Sequence, residues 1–106
     1  MDMEVENFLT LIGKIVRKID EEMEKEGKSP IGEKILSKEN FTVRDVISIV
    51  NKISGRFCLY LDENEKKQFI MNELPKNLWE DLNKLEKDKK IKFYIFLGYL
   101  MGNKHG

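Results

Sequence analysis

Residues 5–23 read VENFLTLIGKIVRKIDEEM, and their spacing decides the fold class. Val5, Phe8, Leu9, Ile12, Ile15, Val16, Ile19 and Met23 recur every three or four positions. That spacing places them on one stripe of a helix, with Glu6, Lys14, Arg17, Lys18 and Glu22 around the remainder. Gly13 costs about 1 kcal/mol relative to Ala inside a helix, but the pattern runs through it. Gly27, Ser29 and Pro30 then stop the helix, because proline disfavours helical geometry at the residue before it.

Downstream, Ile31 to Lys38 reads as one or two helical turns presenting Ile35 and Leu36. A clearer start follows at Thr42, whose hydroxyl can cap free amides, with Asp45 at the capping-box position and Phe41 placed to staple against Val46. That helix continues through Ile49, Val50 and Ile53. Gly55 is a fork. Phe57, Tyr60 and Leu61 continue the helical phase, which is the preferred reading, yet 57–61 also reads as a short buried strand. Asp62 or Asn64 can cap a further helix facing inward with Phe69, Ile70, Met71 and Leu74, and Pro75 breaks or restarts it. Leu78, Trp79, Leu82 and Leu85 give another stripe. The stretch 91–101 is apolar nearly all round, which predicts a buried central helix or a buried strand. The expected architecture is therefore an all-α bundle of about five helices in one domain over residues 1–106. The alternative is α+β, with strands near 57–61 and 91–100.

A length of 106 residues with 41% hydrophobic side chains suffices for a core without disulfide or metal staples. Basic and acidic residues balance at 19 each, so the global charge expected of a dedicated duplex-DNA binder is missing. The single Cys58 excludes an internal disulfide and favours a reducing, cytoplasmic setting. No basic leader precedes an apolar run, and no apolar stretch approaches the ~20 residues that span a bilayer, so no membrane association is expected. The chain contains no alanine and is rich in Lys, Glu, Ile and Asn, a composition of low-GC or heat-adapted sources.

Candidate chemistry is sparse. His105 is the only histidine and sits beside the C-terminus, so a His-based triad or metal site has no second member. Cys58 lies in an apolar run, as a structural thiol does. The carboxylates are mostly flanked by lysines at helical spacing, as in Glu21-Lys25, Glu63-Lys67 and Glu80-Lys84, and no lone acid sits inside an apolar run. Phosphate-binding glycine loops and dinucleotide fingerprints are absent. No enzymatic activity, cofactor or metal is expected.

Charge is unevenly placed. Residues 1–50 hold 8 basic and 11 acidic side chains and residues 51–106 hold 11 and 8, leaving −3 and +3. Lys84, Lys87, Lys89, Lys90 and Lys92 cluster beside Phe93, Tyr94 and Tyr99. With Arg56 they are candidates for contacting a phosphate backbone while aromatics stack on bases. The other reading of this run is a polar turn ahead of a buried segment. The first helix offers a different surface. Its stripe, Phe8, Leu9, Ile12, Ile15, Val16 and Ile19, either fills the chain's own core or is shared with a second protomer.

The stretch from Phe41 to Val50, FTVRDVISIV, resembles the capped helix near the start of the small helical subunit of type III CRISPR effector complexes. The aromatic-rich segment from Lys92 to Leu100 has a counterpart there too. The resemblance covers a minor part of the chain, which is shorter than that family and lacks its basic excess. It implies a subunit lining a guide-RNA filament and touching the backbone through basic side chains, and it carries no individual residue roles over.

The expected function is a non-enzymatic interaction or assembly module that binds a protein partner, above all another copy, through the helix-one stripe. The competing expectation is a small nucleic-acid-binding subunit of a ribonucleoprotein complex, working through the lysines and Arg56.

Overall fold

The computed structural model describes residues 4–67, 69 and 75–102. Among them the chain forms six helices and no strand: α1 (Val5–Lys25), α2 (Gly32–Leu36), α3 (Val43–Ser54), α4 (Glu63–Lys66), α5 (Leu78–Lys87) and α6 (Ile91–Gly102). The all-α expectation holds, and neither alternative strand exists. Residues 91–100 lie inside α6, and 57–61 carry a single 3-10 turn, Cys58–Tyr60. Ile70, Met71 and Leu74, expected to face inward, and the tail residues Asn103, His105 and Gly106 lie outside the described residues.

Local chemistry sets the helix ends. α1 closes with Gly27 at φ +74°, while Lys28 N–H donates to Met23 O at 2.9 Å and Gly27 N–H to Glu24 O at 3.0 Å. This is the left-handed C-terminal cap that glycine adopts without a Cβ penalty. α3 opens on the expected capping box: Asp45 N–H donates to the Thr42 hydroxyl at 3.3 Å, and Thr42 N–H to the Asp45 carboxylate at 2.8 Å. Phe41 and Val46, the predicted staple, are both buried. Asp62 and Glu65 repeat the capping box at α4. α3 does not run on to Leu61. It ends at Ser54, where Gly55 takes φ −105° and ψ −89° and Phe57 N–H folds back to Lys52 O at 2.9 Å. Past the bend, Phe57 and Leu61 are both buried in the core.

The central element is α1, whose stripe meets α2, α5, the 3-10 turn and above all α6. Its closest neighbour is explained by glycine. A Cβ on Gly98 would fall on the Thr10 carbonyl, 2.9 Å from the Thr10 Cα, and one on Gly13 would fall on the Ile95 carbonyl, 2.7 Å from Tyr99 N. Gly102 in turn lies against Lys14 and Arg17. Positions 98 and 102 thus track 10, 14 and 17 in the same direction, and α1 and α6 run parallel with their backbones in contact. Gly13, costly for the isolated helix, is what lets α6 approach.

The buried apolar side chains form one cluster, with Leu9, Ile12, Ile19 and Leu82 fully excluded from solvent. Phe69 stacks on Phe8 at a ring separation of 6.0 Å. Among the described residues one carboxylate is buried with them. Asp20, 2% exposed, accepts hydrogen bonds from Ile31 N–H (2.7 Å), Gly32 N–H (2.9 Å) and the Tyr99 hydroxyl (2.6 Å). It ties α1, the start of α2 and α6 together. In the sequence Asp20 adjoins Glu21 and Glu22 and has the pattern of a surface acid, so its burial shows only in the fold.

Candidate protein-docking surface

The six residues expected at an interface, Phe8, Leu9, Ile12, Ile15, Val16 and Ile19, are each at most 4% exposed within the single chain. This corrects their assignment as docking anchors. The stripe is wide because α1 is surrounded on several sides, and it leaves nothing for a second protomer to cover.

Among the described residues, most of the exposed large apolar side chains are on α6. Ile91, Ile95 and Gly98 face α1 and are buried. On the opposite side Phe93, Phe96, Leu97, Leu100 and Met101 are 58%, 44%, 38%, 48% and 37% exposed. At 100° per residue these five span an arc about 140° wide, centred opposite the glycine contact. A helix apolar all round was expected to be buried all round. It is instead buried on one side only: the glycines hold its inner face close against α1, and the five outer side chains stay exposed. Phe93 also packs edge-on against the half-buried Tyr94, with ring centroids 5.2 Å apart.

Tyr99 anchors α6 from the inner side. Its hydroxyl donates to Asp20, and the Arg17 guanidinium lies 5.1 Å above its ring. Burial, reinforced by the neighbouring Asp20 carboxylate, holds the phenol above its ordinary range, while Arg17 pulls it the other way. A second, smaller apolar spot lies between α3 and α5, where Ile47 and Trp79 are exposed. The spacing of Leu78, Trp79, Leu82 and Leu85 puts Trp79 on the inward stripe of α5, which the structure corrects. Leu78, Leu82 and Leu85 fill that role, and Trp79 points outward at 54% exposure.

The proposed nucleic-acid residues do not form one surface. Lys84 and Lys87 end α5, Lys89 and Lys90 form the turn into α6, and all four are exposed; Lys92 is half-buried. Glu86 lies among them, yet its carboxylate is used, accepting Val43 N–H at 2.7 Å at the start of α3. Arg56 lies beyond the other end of α3, roughly 18 Å away at 1.5 Å per residue, with its guanidinium over the Phe57 ring. Lys89 has φ +58°, a left-handed conformation in which Lys90 N–H reaches Leu85 O at 2.9 Å to close α5. Cys58 is half-buried in the 3-10 turn. Among the described residues no group of three or more His, Cys, Asp and Glu is placed to hold a metal ion, and no helix is long and apolar enough to cross a membrane.

What in the sequence could have located the α6 surface is the pair Gly98 and Gly102, one turn apart on the side opposite Phe93 and Leu97. A helix offering small residues on one face and large apolar ones on the other has two distinct contacts to make. No family model matches this chain, and no curated protein or solved structure is recognisably similar to it.

Proposed function

We propose that this protein is a non-enzymatic assembly module of the reducing cytoplasm that pairs with a second copy of itself through the outer face of α6. The supporting observation is the contiguous exposed row Phe93, Phe96, Leu97, Leu100 and Met101. Single exposed apolar side chains are ordinary, whereas contiguous patches mark contact surfaces. Phe93, Leu97 and Leu100 follow the four-three spacing of a helix seam. Charge favours an antiparallel pair. Lys89, Lys90 and Lys92 crowd the N-terminal end of α6, where cations oppose the helix dipole. Antiparallel pairing carries them to the carbonyl-rich C-terminal end of the other copy, where they are stabilising.

Light scattering after size exclusion tests this. The wild-type chain is expected to be a dimer that persists at high salt. Leu97→Glu with Leu100→Glu should give a monomer of unchanged helix content, since both side chains lie outside the core. A wild-type monomer, or a double variant that remains dimeric, refutes the proposal.

A second reading rests on Lys87, Lys89 and Lys90, exposed on one turn beside the exposed Phe93. It is nucleic-acid binding within a ribonucleoprotein assembly. Phosphate contacts release counterions, so binding of a single-stranded RNA should weaken steeply with salt and vanish when the three lysines become glutamates. Binding that survives that exchange removes the lysine turn from consideration.

A further inference from the structure

A groove between α2 and α3 shares no residue with the outer face of α6. α2 and its flanks present Ile31, Lys34, Ile35 and Lys38 at spacings of three and four, and α3 answers with Asp45, Ile49 and Lys52, followed by Arg56 past its end. The two stripes enclose a cavity of about 360 Å³. Its floor is apolar, with Ile49 and Phe57 buried and Ile31 and Ile35 half-buried. Its rim is cationic. Lys34 and Lys38 stand on one wall, Lys52 and Arg56 on the other.

The rim charges are mostly uncompensated. Lys38 pairs with Asp45 at 2.7 Å. Lys34, Lys52 and Arg56 make no ion pair with a carboxylate among the described residues. From Asp45 to Lys52 the groove follows α3 for roughly 10 Å, or two helical turns, and it continues past the end of α3 to Arg56. Cations are spread along that length and on both walls. A ligand with one charged head would neutralise a single point and leave the others facing apolar surface. An amphipathic helix places carboxylates at i, i+3 and i+4 along both flanks of an apolar ridge, which is the complement of this groove in charge, polarity and length.

We propose that the α2–α3 groove receives an acidic amphipathic helix of a partner protein. The ridge of that helix lies on Ile31, Ile35 and Phe57, and its carboxylates reach Lys34, Lys52 and Arg56. Because the rim ions are solvent-exposed, charge governs encounter rate and partner choice, and the apolar floor governs retention.

The test is fluorescence anisotropy of the full chain with a labelled synthetic helix about three turns long, with leucines on one face and glutamates on both flanks. A matched probe carries glutamines in place of the glutamates. The glutamate probe should bind, more weakly as salt rises, and the glutamine probe should bind at least about tenfold less well. Lys52→Glu with Arg56→Glu, both exposed positions, should reduce glutamate-probe binding by a similar factor while circular dichroism stays unchanged. Leu97→Glu, on α6, should leave binding unaffected, so failure here and failure of self-association are read separately. Equal binding of the two probes, undiminished binding to the double variant, or loss of binding with Leu97→Glu overturns the proposal. So does a groove that binds dodecanoate or a single-stranded oligonucleotide but not the glutamate probe.

Discussion

Replacing Gly98 by alanine sets two known effects against each other, and the sign of the result tests the α1–α6 contact. Helix propensity alone predicts a gain of about 1 kcal/mol, since alanine is the better helix former. The structure predicts the opposite. The added methyl would coincide with the Thr10 carbonyl oxygen and lie 2.7 Å from its carbon and 2.9 Å from the Thr10 Cα. Carbon atoms pack best at about 3.5–4.0 Å, so α6 must retreat by roughly 1 Å. The obstacle is backbone, which cannot rotate away as a side chain would. Such a retreat loosens Ile91 and Ile95 against α1 as well. Overpacking usually costs about 1–3 kcal/mol, and a backbone clash belongs at the upper end. Net of propensity, the variant should be about 2 kcal/mol less stable, with Tm lower by roughly 10 °C for a domain of this size. Urea and thermal melts followed by far-UV circular dichroism measure this directly. Gly55→Ala is the control: its φ is negative, and its nearest neighbour, Asn51 O of the preceding turn, stands 3.2 Å from the new methyl. It should change stability by less than about 1 kcal/mol. Gly98→Ala as stable as the wild type would refute the close parallel packing of α1 and α6.

Other substitutions probe separate parts of the fold. Ile12→Asp places a charge at a site with no exposure and should abolish the folded state rather than split an oligomer, seen as loss of helical signal. Lys89→Gly should stabilise by about 1 kcal/mol, because it relieves a left-handed residue; Lys89→Glu changes the charge without that gain, and equal melting temperatures for the two would contradict the assigned backbone. At Asp45, burial is the largest single influence and raises the carboxyl pKa, but Lys38 and the Thr42 donors together carry it below its ordinary value. A depressed folded-state pKa stabilises above the unfolded value of about 4 and is lost as pH falls through the folded one. Asp45→Ala should therefore cost about 1 kcal/mol at neutral pH and flatten the acid limb of a stability–pH curve below about pH 4; an unchanged acid limb would count against the capping box.

Much of the fold is legible in single residues. The recurrence of Val5, Phe8, Ile12, Ile15 and Ile19 marks α1 as a helix, because one stripe collects all of them. Gly27 ends it, Thr42 with Asp45 starts α3, and Asp62 with Glu65 starts α4, each through hydrogen bonds made within a few residues. Those interactions are local, so the local sequence determines them. The α3 end was less legible, since Phe57 and Leu61 keep the helical phase across Gly55 and the bend there shows only in the folded chain.

Tertiary structure alone decided which apolar residues stay in contact with water. The α1 stripe and the α6 segment look alike as composition, yet α1 is enclosed on several sides and α6 on one. The reason is steric. Gly13 and Gly98 let two backbones touch on one face of α6, and the large side chains from Phe93 to Met101 cannot occupy that face and lie exposed on the other. The same distinction separates the charges. Asp20 sits among acids in sequence but is drawn into the core by two backbone amides and a tyrosine that arrive from elsewhere in the chain. Arg56 and the lysine turn, grouped by sign in the sequence, are held at opposite ends of α3. Periodicity and capping chemistry determine each helix; only the packing of one helix on another determines the surface it leaves exposed.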